Sequence, residues 1–321
     1  MKRKQARVTG ELGVGNARVK EAAKLLLKKH RRETGCVLIE GARLVGDAIA
    51  AGAKVRGVFA TRAFLESPPW HGHSGRDSFT GKMPVLRLTC ETPVPRLTGK
   101  MPVPQLAGET PVAQPVPPPE ARGLAELLRK AAVISEAAAG KLSETRTPQG
   151  VFAVVEYAQP PLSELRLGPN ALVLAADGIS DPGNLGTMIR SAAALGAHAV
   201  VASGDCCDVL NPKVVRATMG AIFRVPVVSG LPLSEAVAGL RDRGLRIVAA
   251  VAREGRAPWE ADLRGPVALL IGSEAEGLPP GFALAAEERV TIPMPGGAES
   301  LNAAGAAAVL LYEASRQRGS G

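Results

Sequence analysis

The sequence predicts an α/β protein, with a C-terminal, mostly parallel sheet covered by helices on both faces and a smaller α/β unit before it. Three observations carry this. From residue 171 onward, short continuous apolar runs alternate with helical patterns, as βα repeats do. Three strand ends run into glycine-rich loops: DGISDPGNLGTMIRSA (177–192), LIGSEAEGL (270–278) and IPMPGGAESLN (292–302). The charge is also lopsided. The formal net charge is +9, and residues 1–60 hold 14 Lys/Arg against 5 Asp/Glu, whereas the rest of the chain is balanced.

Taken in order, residues 17–33 (ARVKEAAKLLLKKHRRE) place Val19, Ala22, Ala23, Leu26 and Leu27 on one side and Lys20, Lys24, Lys28 and Arg31 on the other. That spacing predicts one amphipathic helix, stopped by Gly35. CVLIEG (36–41) reads as a buried strand, ARLVGDAIAAG (42–52) as a helix ended by Gly52, and VRGVFAT (55–61) as a second strand. Arg32 and Arg43 belong to the same basic segment. A basic segment on a neutral body is the electrostatic footprint of a polyanion-binding surface. A solvated Lys-rich helix face is the plainer alternative.

Residues 67–119 break the pattern. GKMPVLRLT (81–89), CETPVPRLT (90–98), GKMPVPQLA (99–107) and GETPVAQPV (108–116) are copies of one nine-residue unit with Pro-Val at a fixed place. Proline at this density removes the donors a helix pair or β-solenoid needs, which predicts a disordered or polyproline-like insertion. Order resumes with a helix at GLAELLRKAA (123–132) and a strand at VFAVVEY (151–157), and the proline-bearing segment 158–169 reads as a linker.

The βα series then follows. ALVLAAD (171–177) is a strand, Asn184-Leu185-Gly186 opens a helix, and HAVVAS (198–203) is a strand. VVRATMGAIF (214–223) reads as a helix, RVPVV (224–228) as a strand, PLSEAVAGLRDRG as a helix and LRIVAAV (245–251) as a strand. PVALLIGSE (266–274) and RVTIPM (289–294) are strands before a closing helix rich in alanine. The small residues Ala303–Ala308 imply that this helix lies very close to its neighbours. The expected domains are 1–66 with 120–157, the insertion 67–119, the linker 158–169, and 170–318.

No apolar run approaches the ~20 residues a membrane span takes. The start MKRKQARVTG lacks the apolar stretch of a secretory signal. Cys36, Cys90, Cys206 and Cys207 show neither disulfide-framework nor zinc spacing, so a cytoplasmic protein with reduced thiols and no metal is expected.

Glycine-rich loops at the carboxyl ends of parallel strands let backbone approach a ligand. Each loop also offers a polar residue: Arg190, Glu274, and Ser300 or Asn302. No GxGxxG or GxxxxGK[ST] stands at a strand–helix junction, which argues against a phosphate cradle and against a nicotinamide oxidoreductase. S-adenosylmethionine, which carries no phosphate, remains by exclusion.

Asn184-x-Gly186-x-x-x-Arg190, IGSEAEGL and IPMPGGAESLNAA together resemble the three motifs of the SpoU/TrmH branch of the SPOUT RNA 2'-O-ribose methyltransferases. The N-terminal segment is similar to that family's L30e-like substrate-binding domain. The resemblance implies a C-terminal trefoil knot, a homodimer and S-adenosylmethionine held at Leu270, Gly272, Ser273, Glu274, Gly277, Ile292, Met294 and Leu301. It assigns Arg190, Asn184 and Asn302 to catalysis and Ser300 to an RNA phosphate, with Lys20, Lys24, Lys28, Arg31, Arg32 and Arg43 as further RNA contacts. A guanidinium stays charged at ordinary pH, so stabilising the developing alkoxide suits Arg190 better than acting as a base. Ribosomal RNA is the leading expected target and tRNA the second. A non-catalytic L30e-type RNA-binding protein would explain residues 1–66 but not the three loops. Plainer readings stay open: Asn184 as a helix-entry cap, Glu274 as a helix-end charge, and Arg190 paired to Asp177 or Asp181.

Overall fold

The computed structural model describes residues 10–66 and 119–319. The nine-residue repeats, and the insertion read over 67–119 except for its last residue, lie outside the described residues.

The described chain builds two sheets. The first holds β1 (Cys36–Glu40), β2 (Val55–Thr61), β3 (Ala132–Ile134) and β4 (Val151–Glu156) in the order β1-β4-β2-β3. β4 is antiparallel to both its neighbours, and β2 and β3 are parallel. Around it lie α1 (Ala17–Lys24), α2 (Lys28–Thr34), α3 (Ala42–Ala50), α4 (Arg62–Glu66), α5 (Pro119–Leu128) and α6 (Glu136–Leu142). Strand alternation sorts the core. Val37, Ile39, Val58, Ala60 and Val151 face α3, whereas Leu38, Phe59 and Phe152 join Val19, Ala22 and Ala138 on the opposite face.

The single helix expected over 17–33 is broken. α1 is capped by Asn16, whose side chain accepts from the Arg18 amide at 2.9 Å, and it stops at Lys24. A turn over residues 25–27 precedes α2. The cause is Arg31. Its guanidinium donates to the carbonyls of Leu25 and Leu26 at 2.8 Å each and pairs with Asp208 at 2.5 Å. With 3% exposure, Arg31 is no surface cation, which corrects its placement on an RNA-facing side. Lys20, Lys24, Lys28, Arg32 and Arg43 are exposed.

The second sheet holds β5 (Leu172–Ala176), β6 (Ala199–Ser203), β7 (Val227–Leu231), β8 (Arg246–Ala250), β9 (Val267–Ile271) and β10 (Glu288–Val290). Its order is β10-β8-β9-β5-β6-β7, with every pair parallel. The helices are α7 (Pro182–Ala194), α8 (Pro212–Ala217), α9 (Leu233–Asp242), α10 (Pro280–Leu284) and α11 (Ala303–Gly319). Leu172, Leu174, Leu269 and Ile271 pack with α7 and α11, while Val173, Ala175, Ala268 and Leu270 pack with α9. This is the two-sided burial that makes parallel strands read as continuous apolar runs. The helix expected over 214–223 stops at Ala217: Met219 and Gly220 turn left-handed beyond it, at φ 48° and 82°, and a Cβ on Gly220 would come within 2.4 Å of the Asp47 carboxylate.

That contact belongs to the junction between the sheets. α8 packs on β1, Arg216 pairs with Glu144 at 3.5 Å, and Arg224 pairs with Asp47 at 3.7 Å. The Tyr157 hydroxyl donates to the Ile222 carbonyl at 3.4 Å, and burial pushes its phenol pKa up. α11 buries Ala303, Ala304, Ala307, Leu310, Leu311 and Ala314 against α7 and β9, so the alanine run does mark a close approach. Among the described residues, no helix is long and apolar enough to cross a membrane.

Candidate active site

The carboxyl ends of β8, β9 and β10 border a cleft of about 350 Å³. Its floor is Ile271 and Gly272, and the hairpin 273–277 forms one wall. Ser273 and Gly277 exchange backbone hydrogen bonds at 3.0 and 3.1 Å, and the Ser273 hydroxyl accepts from the Glu276 amide at 3.1 Å. Gly277 takes φ 70°, and a Cβ on Gly272 would fall 2.1 Å from the Gly277 carbonyl carbon. Only glycine lets this hairpin close on itself. Ile292, Met294 and Leu301 supply an apolar wall, with Glu299 and Ser300 at its mouth.

Seven of the eight expected ligand-holding residues therefore meet in one place. Leu270 does not. Its side chain is buried on the α9 face, and its neighbour Ile271 lines the cleft instead. Val251, Ala252 and Arg253 at the end of β8 also line it and went unread, although they follow a strand of the same parallel sheet.

Asn184 and Gly186 lie inside α7, which starts at Pro182 and is capped by Asp181. The Asp181 carboxylate accepts from the Asn184 amide at 2.8 Å. The Asn184 side chain donates to the Glu274 carboxylate at 2.6 Å and so ties the first loop to the second. Gly186 is a packing residue, not a turn: a Cβ would meet the Ala217 Cβ at 2.5 Å and the Val214 carbonyl at 2.7 Å, both in α8. Arg190 is exposed and outside the lining of the cleft, with no ion pair to Asp177, Asp181 or any other described residue. Six residues of helix put Asn184 and Arg190 about 120° apart around the axis, so the two side chains leave α7 in different directions. The Asn302 side chain accepts from the Gly305 amide at 2.6 Å, capping α11 and leaving its amide group free to donate. Asp177, at the end of β5, is buried with one carboxylate oxygen unpartnered among the described residues. Also among the described residues, no group of three or more His, Cys, Asp or Glu gathers as metal ligands do.

A parallel sheet with such a cleft on its carboxyl edge suits a small-molecule cofactor. Comparison with known proteins gives its class. Residues 171–312 match the SpoU rRNA Methylase family, and residues 16–91 match the MRM3-like substrate binding domain. The 23S rRNA (uridine(2479)-2'-O)-methyltransferase of Streptomyces viridochromogenes is 39% identical over 56% of this chain and 64% of its own length, so the chain spans somewhat under two thirds of that relative. The 23S rRNA (guanosine-2'-O-)-methyltransferase RlmB of Ralstonia nicotianae is 36% identical over 55% of this chain and 73% of its own. A solved RNA 2'-O ribose methyltransferase superposes with a TM-score of 0.69 at 32% identity, covering 96% of this chain and 99% of that one. The SpoU methyltransferase AviRb from Streptomyces viridochromogenes, solved with AdoMet, superposes with a TM-score of 0.71 at 28% identity, covering 95% and 99%.

The fold and the cleft are those of a methyltransferase. The chain belongs to the SpoU rRNA methylase family.

Proposed function

We propose that this protein transfers a methyl group from S-adenosylmethionine to a ribose 2'-hydroxyl of ribosomal RNA. The observation that carries the reading is the cleft built from two of the motif loops, with the third tied to it through Asn184 and Glu274. Its residues fit the cofactor. Ile292, Met294 and Leu301 offer an apolar wall to a purine, and the hairpin closed by Gly272 offers backbone donors and acceptors without a phosphate cradle. When bound, S-adenosylmethionine supplies an electrophilic sulfonium methyl. The chain's task is to hold the 2'-oxygen in line with that methyl and to stabilise its developing charge.

Arg190, a cation with no partner of its own among the described residues, suits that electrostatic task, and Ser300 at the cleft mouth suits a phosphate. Arg190 stands outside the lining of its own cleft, which supports a site completed by a second copy of the chain. Val309 and Tyr312, exposed on α11, give a homodimer an apolar face to bury. The family resemblance implies a trefoil knot at α11, which packs against α7 and β9. Relatives named as 23S rRNA enzymes favour ribosomal RNA over tRNA and a cytoplasmic setting.

Arg190→Ala tests the assignment. Methyl transfer to ribosomal RNA should fall by about 10²–10³-fold, the scale of losing one transition-state donor. RNA binding and thermal stability should persist. A variant that still methylates at the wild-type rate removes Arg190 from the chemistry.

A further inference from the structure

A second cleft, of about 330 Å³, opens where α2 meets the carboxyl ends of β6 and β7. Lys28 and Arg32 form one wall, with Gly204, Ser229 and Gly230 opposite. We infer that this cleft is a phosphate-binding subsite for the substrate RNA strand, remote from the nucleotide being methylated, and that the Arg31–Asp208 pair fixes its width. The inference rests on the RNA reading above.

A chain of contacts through the end of β5 links the two clefts. The Ser203 hydroxyl at the end of β6 accepts from the Gly178 amide at 3.4 Å, and Ser203 lines the second cleft. Gly178 in turn lies against Ser273 of the first cleft, where its missing Cβ would be 3.2 Å from the Ser273 Cβ. A strand entering the first cleft can therefore continue over the end of β5 into the second.

The lining suits an anion. Lys28 and Arg32 are exposed and have no ion pair among the described residues. Gly204 and Gly230 are exposed on the opposite wall, where the Gly204 amide donates to the Leu231 carbonyl at 2.7 Å. Asp208 would repel a phosphate, but Arg31 neutralises it. The neighbouring thiols stay neutral at pH 7, because burial pushes Cys206 up and takes Cys207 to about 11. Arg31 also binds the carbonyls of Leu25 and Leu26, so one guanidinium fixes the turn before α2 to the loop after β6. Its Nε is buried without a partner among the described residues. Losing either member of a buried pair leaves an uncompensated charge, so the spacing between the walls is tightly held. Arg31 and Asp208 are positioning residues; Lys28 and Arg32 make the contact.

Gly204→Asp tests the subsite from the sheet side. A Cβ at Gly204 meets nothing nearer than 3.5 Å, so the fold has room for the side chain. Steady-state assays on ribosomal RNA should show KM raised about 10-fold, kcat within about 2-fold, and a salt dependence of RNA affinity shallower by about one. Calorimetry should find S-adenosylmethionine affinity unchanged. The double variant Lys28→Ala, Arg32→Ala should follow Gly204→Asp, and Asp208→Asn should raise KM while sparing cofactor affinity. A Gly204→Asp protein with wild-type KM and salt slope overturns the subsite alone. A wild-type protein that methylates no RNA overturns the RNA reading and the subsite with it.

Discussion

Gly186 and Gly272 carry the same letter in two of the three motif loops, yet they serve opposite ends of the molecule's economy. At Gly272 the missing Cβ lets a hairpin fold back on its own backbone and shape the cleft floor. At Gly186 it lets α7 settle against α8, well inside the core. The first glycine makes the site; the second makes the platform from which Arg190 projects. A motif read as three equivalent ligand loops is thus two loops and one helix-packing interface.

Substitutions can break that contrast. Gly272→Ala should have the largest effect. The clash is with backbone at 2.1 Å and nothing flexible can yield, so S-adenosylmethionine binding should fall below detection by calorimetry. Gly186→Ala should come next: overpacking against Ala217 and Val214 should cost about 1–3 kcal/mol and lower the melting temperature, while cofactor affinity stays within about 3-fold. If Gly186→Ala instead abolished cofactor binding and spared stability, the two glycines would share one role. Asn184→Ala, which cuts the tie to Glu274, should weaken cofactor affinity about 2–10-fold, as loss of one hydrogen bond worth about 0.5–1.5 kcal/mol would. Gly305→Ala should do least. Its Cβ would meet only the Asn302 side chain at 2.9 Å, and alanine is the better helix former. Light scattering and thermal melts should match wild type, and a monomeric Gly305→Ala would reveal that a second copy packs there.

The architecture was legible because it depends on local pattern. Continuous apolar runs gave the parallel strands, and the alanine run gave the tight seat of α11. β3, α4, α6 and α10 were missed because three to seven residues are too few to show a period. The break between α1 and α2 was invisible for another reason. It is set by Asp208, 177 positions away from Arg31, and Arg31 fits a basic stripe perfectly well until that partner is known. At the site, the loops were found but their faces were not. Alternation along β9 assigns the Ile271 side chain to the cleft side and the Leu270 side chain to the α9 side, a one-residue distinction between two neighbours.

The place of β9 also bears on how the protein is made. β9 lies between β8 and β5, although it is the fifth of the six strands in its sheet to be synthesised. A nascent chain that has delivered β5 to β8 holds two pieces that cannot bond to each other, each with an open edge facing the gap. At about 5–20 residues per second, the ribosome leaves those edges unpaired until Val267–Ile271 emerges. The first sheet waits in the same way: β4, its last strand, lies between β1 and β2, so those two stay unjoined until Val151–Glu156 emerges. Each half therefore assembles late and around an inner strand, the N-terminal sheet at β4 and the C-terminal sheet at β9.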